Sequence, residues 1–72
     1  MEFECRLKVL LAEEKLKDQS FTQRKFAEKI GVTNSTLSLI VNGKNLPSFE
    51  VVYRICKELQ RPIEEIWTEI EQ

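Results

Sequence analysis

The sequence predicts an all-α domain of five short helices, and three observations carry that prediction. Apolar residues recur at helical spacing in each successive segment, while Thr22, Thr33, Ser48 and Pro62 stand where helices start. Gly31 and Asn42-Gly43 stand where helices stop, and no segment alternates well enough to be a strand. With 72 residues and no repeat, low-complexity tract or flexible linker, the chain is assigned one domain, residues 1–72.

The first helix is expected from Glu4 to Lys17. Leu7, Leu10 and Leu11 share one face, with Cys5, Val9, Ala12 and Leu16 in an adjoining stripe. Asp18, Gln19 and Ser20 break the pattern as a loop. Thr22 then caps a second helix, Gln23 to Ile30, whose apolar face is Phe26, Ala27 and Ile30. Thr33 caps a third that reaches Val41, with Leu37 and Ile40 inward and Asn34, Ser35, Ser38 and Leu39 outward. Ser48 caps a fourth, whose buried stripe is Val52, Ile55, Cys56 and Leu59, and Glu50 suits its first turn. Pro62 opens a fifth over residues 62–72, with Ile63, Ile66, Trp67 and Ile70 at helical spacing and Glu64 and Glu65 at its positive end.

Composition narrows the function classes. The net charge of −1 taken alone disfavours a polyanionic partner, but the charge is unevenly spread. Between Thr22 and Asn45 the bases are Arg24, Lys25, Lys29 and Lys44 against the single acid Glu28. From Pro62 onward there are Glu64, Glu65, Glu69 and Glu71 and no base. The chain has no histidine, and Cys5 and Cys56 lie on apolar faces, so neither a metal site nor a disulfide is expected. No acid or thiol has an activating neighbour in sequence, which sets enzymes aside, and no cofactor or small-molecule ligand is indicated. No stretch is long and apolar enough for a membrane span, and MEFECRLKVLL carries acids where a secretory leader carries bases. A cytoplasmic protein is the expectation.

The informative unit is QRKFAEKIGVTNSTLSLI, residues 23–40. Two short helices joined by a three-residue turn must touch closely, which calls for a small residue at the crossing, supplied by Ala27. The turn calls for a residue comfortable at positive φ, supplied by Gly31. Phe26, Ile30, Val32, Leu37 and Ile40 are apolar where both helices meet a core. Agreement at seven positions specifies a helix-turn-helix far better than a lone glycine could.

TQRKFAEKIGVTNSTLSLIVNGKNLPSFEVVYRICKEL, with PIEEIW beyond it, resembles the Cro/CI-type, or xenobiotic-response-element, helix-turn-helix regulators. The likeness covers Arg6 to Trp67 and includes the NGK after the third helix and the Pro47-Ser48 pair. It implies a five-helix, lambda-repressor-like DNA-binding domain whose third helix enters the major groove, working as a homodimer on a palindromic operator. Gln23 matches the position that holds a phosphate at the start of helix two, and Lys44 and Asn45 match the loop that grips the backbone, with Arg24 and Lys25 as further phosphate contacts. Thr33, Asn34, Ser35, Ser38 and Leu39 match the groove-facing positions. Asn34 can bond adenine through a donor and an acceptor together, and Leu39 can pack on a thymine methyl. With no base on this helix to fork onto guanine, an A·T-leaning site of modest affinity is expected.

The chain departs from the family pattern in two places. An arginine late in helix one and a glutamate before the NG usually pair; here Leu11 and Val41 stand there. Losing one partner would strand a buried charge at about 3–5 kcal/mol, whereas a packed apolar pair replaces both at little loss. The connection EKLKDQSF is also long, so either helix one runs an extra turn or a loop protrudes.

Blander roles stand beside these. Ala27, Gly31 and the apolar positions specify a helical crossing and not its use. Leu39 fits base contact, partner contact or plain tolerance equally. Tyr53 and Arg54 default to packing or rim contact. Ile63 and Ile66 are expected in the core, while Trp67 and Ile70 divide evenly between core and dimer interface. The function expected is a small transcriptional regulator, a repressor because a domain this small lacks an effector pocket. The competing class is a protein-interaction module, such as an antitoxin-like partner with incidental DNA binding.

Overall fold

The computed structural model describes residues 2–71. Their order is β1 (Glu2–Cys5), α1 (Leu7–Lys17), α2 (Gln23–Ile30), α3 (Asn34–Val41), α4 (Phe49–Leu59), α5 (Ile63–Ile66) and β2 (Trp67–Ile70). Three helices begin as their side chains dictate. The hydroxyls of Thr22, Thr33 and Ser48 accept from the backbone N–H groups of Lys25, Thr36 and Val51 at 3.1, 3.1 and 3.4 Å. Each satisfies a donor that the first turn leaves without a helical partner.

One core gathers a side chain from every helix. Leu7, Leu10 and Leu11 of α1 meet Phe26, Ala27 and Ile30 of α2, Leu37, Ile40 and Val41 of α3, Ile55 and Leu59 of α4, and Ile66 of α5. Leu11 and Val41 are both buried and border the same surface depression. Arg61 links the outer sides of α1 and α5, reaching Glu13 at 3.5 Å and Glu65 at 3.3 Å.

The all-α expectation needs correction. The two ends of the chain form a two-stranded antiparallel sheet that pairs Glu2 with Ile70, Phe3 with Glu69, Glu4 with Thr68 and Cys5 with Trp67. The first helix therefore begins at Leu7, not Glu4. The helix expected over 62–72 stops at Ile66, and its last residue, Gln72, lies outside the described residues. Ile63, Ile66, Trp67 and Ile70 do keep helical spacing, but a segment that short is marginal as an isolated helix. Paired as strands, Cys5 and Trp67 both pack against the core, and the Arg6 N–H donates to the Ile66 carbonyl at 2.7 Å.

Burial follows the same correction. Ile66 is fully buried, but Ile63, expected beside it, is 50 % exposed and lines an open apolar cleft with Phe3, Leu46 and Trp67. Val52 and Cys56 are half-buried at the edge of the α4 stripe, and Val9, Ala12 and Leu16 of the expected adjoining stripe are exposed. Cys5 and Cys56 are free thiols, each pushed above the ordinary thiol range by burial.

Candidate nucleic-acid interface

The turn between α2 and α3 fixes everything around it. Gly31 takes φ 79° and ψ 29° and ends α2, while the Val32 N–H donates back to the Ala27 carbonyl at 3.0 Å. Ala27 is buried in the core beneath this turn. A Cβ on Gly31 would lie 2.6 Å from Arg54 Nη1. That guanidinium reaches over from α4, donates to the Ile30 carbonyl at 3.5 Å and pairs with Glu50 at 2.8 Å. Arg54 thus braces the turn from outside, a specific form of the packing or rim contact expected of it. It is legible only once α4 is placed against α2.

With Leu37, Ile40 and Val41 facing the core, α3 leaves Asn34, Ser35 and Leu39 exposed and Ser38 half-buried. Gln23, at the first position of α2, crosses to them. Its side-chain amide donates to Ser38 Oγ at 2.9 Å and to Asn34 Oδ1 at 3.5 Å. Asn34 therefore keeps its own amide donors for another partner. Thr33 is occupied otherwise: its hydroxyl caps α3 through the Thr36 N–H and donates to Thr36 Oγ1 at 3.0 Å.

The loop after α3 is held by backbone bonds. Asn42 Nδ2 donates to the Ser38 carbonyl at 2.9 Å, and the Lys44 N–H donates to the Leu39 carbonyl at 2.9 Å. Gly43 turns the chain at φ 71°, and the side chains of Lys44 and Asn45 stand exposed beyond it. Arg24 is exposed as well. Lys25 is exposed but tethered, its ammonium donating to the Ser20 carbonyl at 3.0 Å.

The long connection resolves as both an extended α1 and a closed loop. Lys15 Nζ donates to the carbonyls of Gln19 and Phe21 at 2.6 and 3.1 Å, and Phe21 packs on Phe26 with ring centroids 6.1 Å apart. Asp18 accepts from the N–H and hydroxyl of Ser20, which holds its carboxyl below the usual carboxylate range. Lys8 and Lys15 flank the depression beside Thr22 and Gln23. Sequence reasoning passed over them, although Lys8, Leu11, Ala12 and Lys15 sit at i, i+3, i+4 and i+7 on one helix.

The two residues weighed for a dimer interface separate. Residues opposite each other in an antiparallel pair share a face, so Trp67 lies with Cys5, Phe3 and Glu69, while Ile70 lies with Glu2, Glu4 and Thr68. Trp67 is half-buried and Ile70 exposed.

Two comparisons bear on this geometry. A helix-turn-helix family model matches residues 13–66. The chain is also 35 % identical over 52 residues to an uncharacterized HTH-type transcriptional regulator, YgzD, of Bacillus subtilis (strain 168), covering 71 % of this chain and 79 % of the relative.

Proposed function

The chain belongs to the Cro/CI-type, or xenobiotic-response-element, helix-turn-helix transcriptional regulators, non-enzymatic proteins that bind DNA, and from that premise we propose that α3 enters the major groove of an operator and that the protein acts as a repressor. The observation that carries this is the bracket from Gln23 onto Ser38 and Asn34, which presents the polar face of α3 as one preset unit. A side chain already held in place loses less freedom on contact with a base edge. Asn34 reads adenine, Ser35 and Ser38 tolerate several bases, and Leu39 packs on a thymine methyl. Thr33 contributes through its methyl group and backbone, since its hydroxyl caps the helix.

Phosphate contacts flank this face: Gln23 with the amino end of α2 on one side, Lys44 and Asn45 on the other, and Arg24 nearby. Lys25 reaches a phosphate by exchanging its tether to Ser20 for it. One such module covers one half-site, so a homodimer on a palindromic operator supplies the remaining affinity. Its repressor action is occupancy of a promoter.

Selection of bound sites from random duplexes tests the reading. Inverted, A·T-leaning half-sites with centres about ten base pairs apart are expected. Lys44→Ala is expected to weaken binding evenly across sequences and to lower the salt slope by about 1. A G·C-rich consensus would overturn the assignment of Asn34 and Leu39, and no enrichment even at low salt would favour a protein-interaction module.

A further inference from the structure

The long connection between α1 and α2 has little apolar surface to hold it. Residues 18–20 are exposed, and Phe21, half-buried and packed on Phe26, anchors the far end. Hydrogen bonds hold the rest. The Asp18 and Phe21 N–H groups donate to the Glu14 and Asp18 carbonyls, each at 3.0 Å. Two ammonium groups from different helices then take the next three carbonyls. Lys15 of α1 donates to Gln19 and Phe21 at 2.6 and 3.1 Å, and Lys25 of α2 donates to Ser20, between them, at 3.0 Å.

We propose that Lys15 is a positioning residue for DNA binding: by clamping the Gln19 and Phe21 carbonyls it fixes where Thr22 and Gln23 stand, and through Gln23 the polar face of α3. The inference rests on the operator-binding reading and adds to it a residue that acts without touching DNA. The linkage is short. Peptide planarity ties the Phe21 carbonyl to the Thr22 N–H, and the Thr22 hydroxyl caps α2 through the Lys25 N–H at 3.1 Å. Gln23 follows directly, and its amide reaches Ser38 and Asn34. A bond from a charged donor restrains a carbonyl more strongly than a neutral one. Restraint present before contact lowers the ordering cost of binding.

Lys25 cannot hold the connection alone. On the operator it exchanges Ser20 for a phosphate, which releases the carbonyl between the two that Lys15 holds. Lys15 is the clamp that stays. The helix dipole favours a lysine in the last turn of α1 in any case. That effect needs no contact with the loop, whereas the Lys15 side chain passes the end of α1 at Lys17 to reach Gln19 and Phe21.

The experiment compares wild type with Lys15→Met and Lys17→Met, at a temperature where all three are fully folded by circular dichroism. Binding to a selected duplex is measured by fluorescence anisotropy over a range of salt concentrations, and backbone amide signals by nuclear magnetic resonance. Lys15 is exposed, so its substitution leaves the core intact. Lys15→Met is expected to weaken binding by about fivefold or more, the scale of one net hydrogen bond. Its salt slope is expected to match wild type, because losing the clamp takes no cation from a phosphate. The Thr22 and Gln23 amide signals are expected to move while those of α4 stay in place. Lys17→Met, which removes the same charge two residues on, is expected to bind within about twofold of wild type, since an exposed charge away from the phosphates is screened.

A binding loss that comes with a salt slope lower by about 1 and unmoved Thr22 and Gln23 signals makes Lys15 a phosphate contact and overturns the positioning role. Equal losses in Lys15→Met and Lys17→Met overturn it as well, by reducing the effect to net charge. Lys15→Met that binds as tightly as wild type overturns it and leaves operator binding standing. A wild type that binds no duplex overturns the operator reading, and this inference falls with it.

Discussion

The helix-turn-helix and the terminal closure make the same backbone move with different residues. Gly31 ends α2 at φ 79°, and Gln60 ends α4 at φ 54°. Both ends carry the same bonds: the Gly31 and Gln60 N–H groups donate to Glu28 and Lys57, and the next N–H groups, of Val32 and Arg61, donate to Ala27 and Cys56. In one region the residue advertises the turn. In the other, an exposed glutamine takes the left-handed region without glycine's conformational freedom. The two regions also show solvent different chemistry, amides, hydroxyls and bases around α3 against aromatics, aliphatics and acids around β2. Identical backbone geometry therefore says little about legibility, and the exposed side chains say most about task.

The largest expected effects test whether the two regions form one cooperative body. Leu37→Ala in α3 and Ile66→Ala in α5 each remove a fully buried side chain, and each is expected to cost about 2–5 kcal/mol in chemical denaturation. A loss below about 1 kcal/mol for Ile66→Ala alone would make the terminal sheet a separable appendage.

Next comes Asn34→Ala, expected to lose about 1–3 kcal/mol of binding to a selected site with the melting temperature unchanged. A matching loss of stability would mean that Asn34 serves the fold rather than the interface. The pair of helix ends separates at a similar scale. Gly31→Val meets both the positive φ and Arg54, so a cost of at least about 1–2 kcal/mol is expected, whereas Gln60→Gly should raise stability by up to about 1 kcal/mol.

The smallest effect lies in the loop between α1 and α2. The Asp18 carboxyl is held below its ordinary range by Ser20, so its contribution is present above the usual carboxylate range and is lost as pH falls through the depressed value. Nuclear magnetic resonance titration of wild type against Ser20→Ala is expected to return Asp18 toward ordinary behaviour. An unmoved titration would remove Ser20 as the cause.

The helix-turn-helix was legible because its determinants are local. Thr22, Thr33, Ala27 and Gly31 act on backbone within a few residues of themselves, so spacing along the chain carries the geometry. The outward set Asn34, Ser35 and Leu39 followed from the same periodicity. The bracket from Gln23 could not be read this way, because it joins residues 11 and 15 positions apart, and Arg54 acts on a turn 24 positions from itself.

The terminal sheet stands furthest from what periodicity can reach. EFEC alternates for only four residues, and the apolar spacing of its partner favours a helix, so each strand is ambiguous until the other is beside it. By itself, the sequence determined the four longer helices, three of their caps and the turn that aims α3, since those depend on torsional preference and short-range hydrogen bonding. Tertiary structure alone decided the pairing of Glu2–Cys5 with Trp67–Ile70, the exposure of Ile63 and the apolar cleft beside Leu46. Each of these depends on which distant segment arrives to cover a side chain, and a one-dimensional pattern does not encode that arrival.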